Sequence, residues 1–155
     1  MTHTPLPLPL ESIFSVANTT ALVSWVVLIL LPRARVLRRL VQVLAVSGLC
    51  VAYAVLVQLY FFSVPGGGFS TLAAVQRLFE VPEVALAGWI HYLAFDLFVG
   101  LWMAQRADTM GLSRWLQAPL LVVTFMFGPI GLMLFGLTVA ARQGGRRLAL
   151  LGTAA

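Results

Sequence analysis

Four long apolar runs alternate with short polar breaks along the chain: Ile13 to Leu31, Leu40 to Phe62, Val84 to Ala104 and Leu116 to Ala141. A helix of about 20 apolar residues crosses the ~30 Å hydrocarbon layer, so each run is long enough to span a bilayer. Pro32 closes the first run, and the cluster Arg33, Arg35, Arg38 and Arg39 opens the second, which predicts a tight helical hairpin. Between the second and third runs, Pro65, Gly66, Gly67 and Gly68 break the chain. Phe69, Leu72, Val75 or Leu78, and Phe79 then recur at helical spacing opposite Thr71, Gln76, Arg77 and Glu80. That pattern predicts a short amphipathic helix lying on the membrane surface. The expected fold class is an all-α integral membrane protein with four transmembrane helices and one interfacial helix between the second and third. Residues 1–12 and 142–155 are expected as extramembrane tails, the latter polar and flexible, around a transmembrane domain at 13–141.

Composition supports lipid as the solvent. Hydrophobic residues make up 61% of the chain and charged residues only 10%, against roughly 25% charged in a soluble domain. A large soluble core is no alternative, because a domain of this size still exposes about 30% of its unfolded surface. The net charge of +5 comes from ten basic residues, all Arg. They are scattered between apolar runs as membrane-flanking anchors, which argues against a nucleic-acid partner. One cysteine, Cys50, excludes a disulfide framework or a zinc cluster within one chain. Met1 to Ser12 holds Pro5, Pro7, Pro9 and Glu11 but no Lys or Arg, so a signal peptide is not expected. The short leader also leaves no room for a transit peptide, and a bacterial-type plasma membrane is the expected address. Keeping the four arginines of the first loop cytoplasmic puts the N-terminus outside and the Arg106 to Trp115 loop inside. Arg142, Arg146 and Arg147 oppose this, leaving an inside-to-outside count of 6 to 4: Arg33, Arg35, Arg38, Arg39, Arg106 and Arg114 against Arg77 and those three. Trp102 and Trp115 near one face, and Tyr60 near the other, fit aromatic belts.

The third span contains the only Asp and the only His within any span, Asp96 and His91. At 1.5 Å per residue they lie about 3 and 4.5 Å either side of its midpoint, residue 94. A charge at that depth costs ~2.5–3.5 kcal/mol even on the lenient insertion scale, so such residues face the bundle interior and take partners. The two are about 140° apart around the helix and do not share a face. Matching depths puts Asn18 and Tyr53 level with His91, and Ser47, Cys50 and Thr124 level with Asp96. Asp96 shares a stripe with Trp89, Tyr92, Gly100 and Met103, which reads either as a site or as a packing seam; His91 reads equally as a neutral imidazole bonded to a neighbouring helix. In the fourth span Pro129 cannot donate to the carbonyl of Phe125, so Phe127 to Gly131 predicts either a polar notch or a kink with close glycine packing. The candidate pocket comprises Asn18, Tyr53, Trp89, Tyr92, Thr124 and Pro129. No cofactor or metal site is expected. Gly66 to Gly68 lacks the ending of a phosphate loop, His3 lies in the tail out of reach of a two-histidine haem, and Glu80 and Glu83 read as solvated flanks.

Four phrases occur in one order: Ile13-Phe14-Ser15-Val16-Ala17-Asn18, Gly67 to Leu72, Ala87-Gly88-Trp89-Ile90-His91-Tyr92-Leu93-Ala94-Phe95-Asp96-Leu97-Phe98-Val99-Gly100, and Thr124 to Gly131. Together they resemble the neoxanthin-synthesis, or abscisic acid deficient, family of membrane proteins over roughly Glu11 to Ala140. The resemblance implies conversion of the epoxycarotenoid violaxanthin to neoxanthin in the plant members; many bacterial members have no assigned role. Opening the epoxide to an allene needs an acid at oxygen and a base for the adjacent carbon-bound proton, and His91 and Asp96 are the pair available as catalytic residues. A membrane-spanning carotenoid places its ring about 15 Å from the midplane, so the substrate lies unusually deep or these residues hold the bundle together. The leading expectation is a protein that acts on or binds a carotenoid or isoprenoid lipid. A non-enzymatic binding or assembly protein, and a proton-linked transporter that would need a homo-oligomer, stay open.

The orientation is testable by single cysteines in a Cys50→Ser background. Arg35→Cys, Gly67→Cys and Arg114→Cys are expected to react with an impermeant maleimide on intact cells only at position 67; labelling at 35 and 114 would reverse the topology.

Overall fold

A computed structural model describes residues 9–31 and 34–152, with side chains to residue 144. Pro32, Arg33, His3, Pro5, Pro7 and the side chains of Arg146 and Arg147 lie outside the described residues. The elements are α1 (Leu10–Leu30), α2 (Arg35–Ser63), α3 (Leu72–Phe79), α4 (Pro82–Thr109) and α5 (Arg114–Gly152). Among the described residues there is no strand. α1, α2, α4 and α5 are long and apolar enough to cross a membrane, and the protein is a multi-pass membrane protein. The spans run beyond the apolar runs because the flanking polar residues continue the same helical hydrogen bonding into the headgroup layer.

α4 is the hub, packing against α1, α2, α3 and α5. Its most apolar stretch is 50% buried inside the protein, against 28–33% for the other spans. Ile90, Ala94, Leu97, Leu101 and Ala104 are buried at alternating spacings of four and three, the seam of a left-handed helix bundle. α1 turns Ala17, Ala21, Ser24, Trp25 and Leu28 toward it. The close approach depends on Gly100, where a Cβ would fall 2.5 Å from Cη2 of the Trp25 indole. Val16, Leu44 and Leu137, each more than 60% exposed, face outward into lipid.

Local chemistry fixes the ends. The Thr71 side chain accepts from the Ala74 amide at 3.2 Å and caps α3. This is the interfacial helix the spacing predicts, preceded by Gly66 at φ +70°. Pro82 opens α4, where its missing N–H costs nothing. Gly111 at φ +64° closes it, with the Leu112 amide donating to the Ala107 carbonyl at 2.9 Å. At that end the Arg38 guanidinium donates to Asp108 at 2.6 Å, tying α2 to α4. Two irregularities interrupt the spans. Val41–Val46 forms a π-helical turn in α2, and the Ser47 hydroxyl follows its wider register by reaching back five residues to the Gln42 carbonyl at 3.4 Å. In α5 the backbone leaves helical geometry at Phe127 (φ −142°, ψ 53°), two residues before Pro129; the proline ring clashes with the preceding turn, which breaks there.

Gly100→Val is expected to push the indole out of its seat and lower stability by roughly 1–3 kcal/mol, seen as a lower thermal midpoint in detergent. Gly48→Val, whose added carbon meets nothing within 4 Å, serves as the neutral control.

Candidate functional site

Trp89, Tyr92 and Asp96 stand at positions i, i+3 and i+7 on α4 and share one face. Asn18, Leu22 and Trp25 of α1, also at helical spacing, stand opposite, and Phe125 and Met126 of α5 form the third wall. Together they enclose a groove of about 410 Å³, open on one side. The Trp89 indole N–H donates to Asn18 Oδ1 at 2.9 Å. That bond fixes both side chains at the rim, with Tyr92 tilted against the indole at 5.4 Å. Trp25 and Phe125 close the inner end, their ring centres 5.5 Å apart.

Asp96 is the polar centre of this groove. Tyr92, one turn earlier, meets its carboxyl group through the phenol hydroxyl. Oδ2 is buried and has no hydrogen-bond partner among the described residues. The carboxyl group lies against Gly128, occupying the place a Cβ there would take. The break at Phe127 therefore brings a residue without a side chain to the carboxyl, and only glycine leaves it room. The resulting site is one carboxyl group lining an otherwise largely apolar groove, of a chemical type able to exchange a hydrogen bond or a proton with an oxygen of an apolar ligand.

His91 is elsewhere. Its ring stacks on Phe95 at 4.5 Å and leans on Tyr53 at 5.2 Å, in a separate pocket of about 230 Å³ between α2, α3 and α4. The structure thus brings Asn18, Trp89, Tyr92 and Asp96 together and pairs Tyr53 with His91, but does not bring His91 to Asp96. Asn18, level with His91 by depth, bonds Trp89 instead. Thr124 is fully buried, donating to the Leu120 carbonyl at 2.7 Å beside Met103 Sδ at 3.4 Å, and it lines neither cavity. Pro129 is exposed on the lipid side and acts only through the break before it. Ser47 and Cys50 are exposed on α2, away from Asp96. Sequence reasoning missed Trp25, Phe125, Met126 and Leu22; the Asn18-Leu22-Trp25 spacing carried the signal for two of them.

A model of the ABA DEFICIENT 4-like family matches residues 12–135, a stretch that takes in every residue of both cavities. No curated protein and no solved structure matches the chain.

The rim bond is measurable by a double-mutant cycle. Asn18→Leu and Trp89→Phe are each expected to destabilise, with a coupling energy of roughly 0.6–1.7 kcal/mol in detergent unfolding; a value near zero would mean the two groups do not interact.

Proposed function

The chain belongs to the ABA DEFICIENT 4-like family, and on that footing we propose that it takes the oxygen-bearing ring of a carotenoid or related isoprenoid into the Asp96 groove and isomerises it, in the plasma membrane of a bacterium. The observation that carries this reading is that Asp96, an acid at mid-membrane with one buried and unpartnered oxygen, lines an apolar groove. A carboxyl group is costly in hydrocarbon, and a ligand oxygen hydrogen-bonded to it relieves that cost. About 410 Å³ holds one cyclic end group and leaves the polyene in the lipid. Trp89 lies about 8 Å from the span centre and Asp96 about 3 Å on the other side, so the ring sits deeper than the ~15 Å of an upright carotenoid.

The chemistry that family resemblance suggests is opening of an epoxide without net redox. A proton reaches the epoxide oxygen, the carbon–oxygen bond breaks, a proton leaves the adjacent polyene carbon, and an allenic alcohol results. Protonated Asp96 supplies the first proton. His91 borders the other pocket, so the carbon-bound proton falls to a group inside the groove, and the Asp96 carboxylate left by the first transfer is such a base. One carboxyl then gives and regains a proton, and no water is needed at mid-membrane. Tyr92 holds the carboxyl in place. The seating of Asp96 against Gly128 favours a second, non-enzymatic reading, in which the carboxyl specifies how α4 and α5 pack.

Purified protein in lipid, given violaxanthin or the host's own carotenoids, is expected to form an isomer of unchanged mass. Asp96→Asn keeps the shape of the side chain and is expected to lower turnover by about 10²-fold or more with little change in thermal stability. Pigment retained but chemically unchanged, or conversion by Asp96→Asn at the native rate, would overturn catalysis. Asp96→Leu lowering stability without any metabolite change would then support the packing role.

A further inference from the structure

The pocket around Tyr53 and His91 shares no lining residue with the Asp96 groove and has no part in the reaction above. We infer that it is a second ligand site, which takes a single flat ring bearing a carbonyl or hydroxyl oxygen at the end of an isoprenoid chain, the chemistry of a quinone headgroup.

Two donors without acceptors point to the oxygen. Tyr53 offers a phenol O–H and His91 offers a ring N–H. Among the described residues each is engaged only in ring contacts, Tyr53 with His91 and His91 also with Phe95; neither has a hydrogen bond. His91 lies only about 4.5 Å from the centre of its span, where lipid tails supply no acceptor and an unmet polar group is costly. Both are at the pocket wall, and His91 is exposed at the protein surface. An oxygen acceptor entering from the lipid would meet both donors at once.

The walls point to a ring. Tyr53 and His91 meet at 5.2 Å and 51°, and Phe61 and Phe69 at 5.2 Å and 30°. These four rings surround a space of about 230 Å³. A dry cavity of about 150 Å³ accommodates benzene, so this one has room for a substituted six-membered ring. The interfacial helix α3 roofs it with Leu78 and Phe79. Phe79 can lie on α4 because Gly88 has no side chain; a Cβ there would fall 2.6 Å from Phe79 Cε1. A linear acyl chain has neither the flat faces nor the acceptor that this lining matches. The open side lets the isoprenoid tail pass into the bilayer.

The test is equilibrium binding of a radiolabelled quinone carrying two isoprene units to the full chain in phosphatidylcholine nanodiscs. Three unlabelled competitors are used: the same quinone, a dihydroxy carotenoid, and an oxygen-free hydrocarbon of the quinone's shape. Saturable quinone binding is expected, weakened about 2- to 10-fold by Tyr53→Phe and at least as much by His91→Leu. Tyr53→Phe removes one oxygen atom and leaves the fold intact, which a native thermal midpoint verifies. Asp96→Asn is expected to leave binding unchanged, so this site can fail or succeed independently of the isomerisation. Displacement of the quinone by the carotenoid at lower concentration than by quinone itself would support the same ring-oxygen site with a carotenoid as its source. Equal displacement by the hydrocarbon, unchanged affinity in Tyr53→Phe, or no saturable binding would each overturn the proposal.

Discussion

Within hydrocarbon, a polar group has no solvent to fall back on and must be satisfied by the protein or by something the protein holds. Much of this structure follows from that constraint. Ser24, Thr124 and Thr138 send their hydroxyls back to the carbonyl one turn earlier. The buried Gln117 amide donates across helices to the Ala104 carbonyl at 3.3 Å. Trp89 and Asn18 satisfy each other. What remains after these local solutions includes the buried Asp96 Oδ2 and the buried Gln117 Oε1, neither with a hydrogen-bond partner among the described residues, and the side chains of His91 and Tyr53. Asp96 and the His91–Tyr53 pair lie against cavities. Because α4 carries both Asp96 and His91, both proposed ligand sites share it as a wall.

Depth was legible in the sequence, while rotation was not. A rise of 1.5 Å per residue is nearly independent of context, so the four spans, the interfacial helix and the levels of His91, Tyr53 and Asp96 follow from counting. The Trp89-Tyr92-Asp96 stripe was equally legible, because it belongs to one helix. Which helix faces that stripe depends on how closely neighbours approach, and here a single pair decides: Trp25 fills the space above Gly100, which turns α1 so that Asn18 and Leu22 come to the groove. Level alone nominated Ser47, Cys50 and Thr124 as neighbours of Asp96. Thr124 instead bonds its own backbone, as threonines in apolar helices do, and Ser47 follows the π turn of α2, for which Val41–Val46 carries no compositional signal. The break in α5 was legible at Pro129. That it would expose the backbone of Gly128 to a carboxyl group was not, since this requires the partner helix.

The two cavities differ in their walls. The Asp96 groove is bounded by the spanning helices α1, α4 and α5. The Tyr53 and His91 pocket is also walled by α3, through Leu78 and Phe79, and by Phe69 just before that helix. Phe69 and Leu72, 78% and 75% exposed where this segment begins, give it an apolar surface suited to the headgroup boundary. One cavity is thus bounded by spanning helices alone, and the other is closed on one side by the short helix α3.

The break at Phe127 bears on how such a protein can diversify. Phe125 and Met126, just before it, are walls of the groove, and Gly128, just after it, is the surface on which the Asp96 carboxyl rests. A single backbone feature therefore sets both the width of the groove and the placement of its carboxyl group. Lineages that alter the bend to widen or narrow the groove move the carboxyl as well. Changes of groove width are easier through the α1 wall, at Leu22 or Thr19, where side chains can be exchanged without disturbing the seat of Asp96.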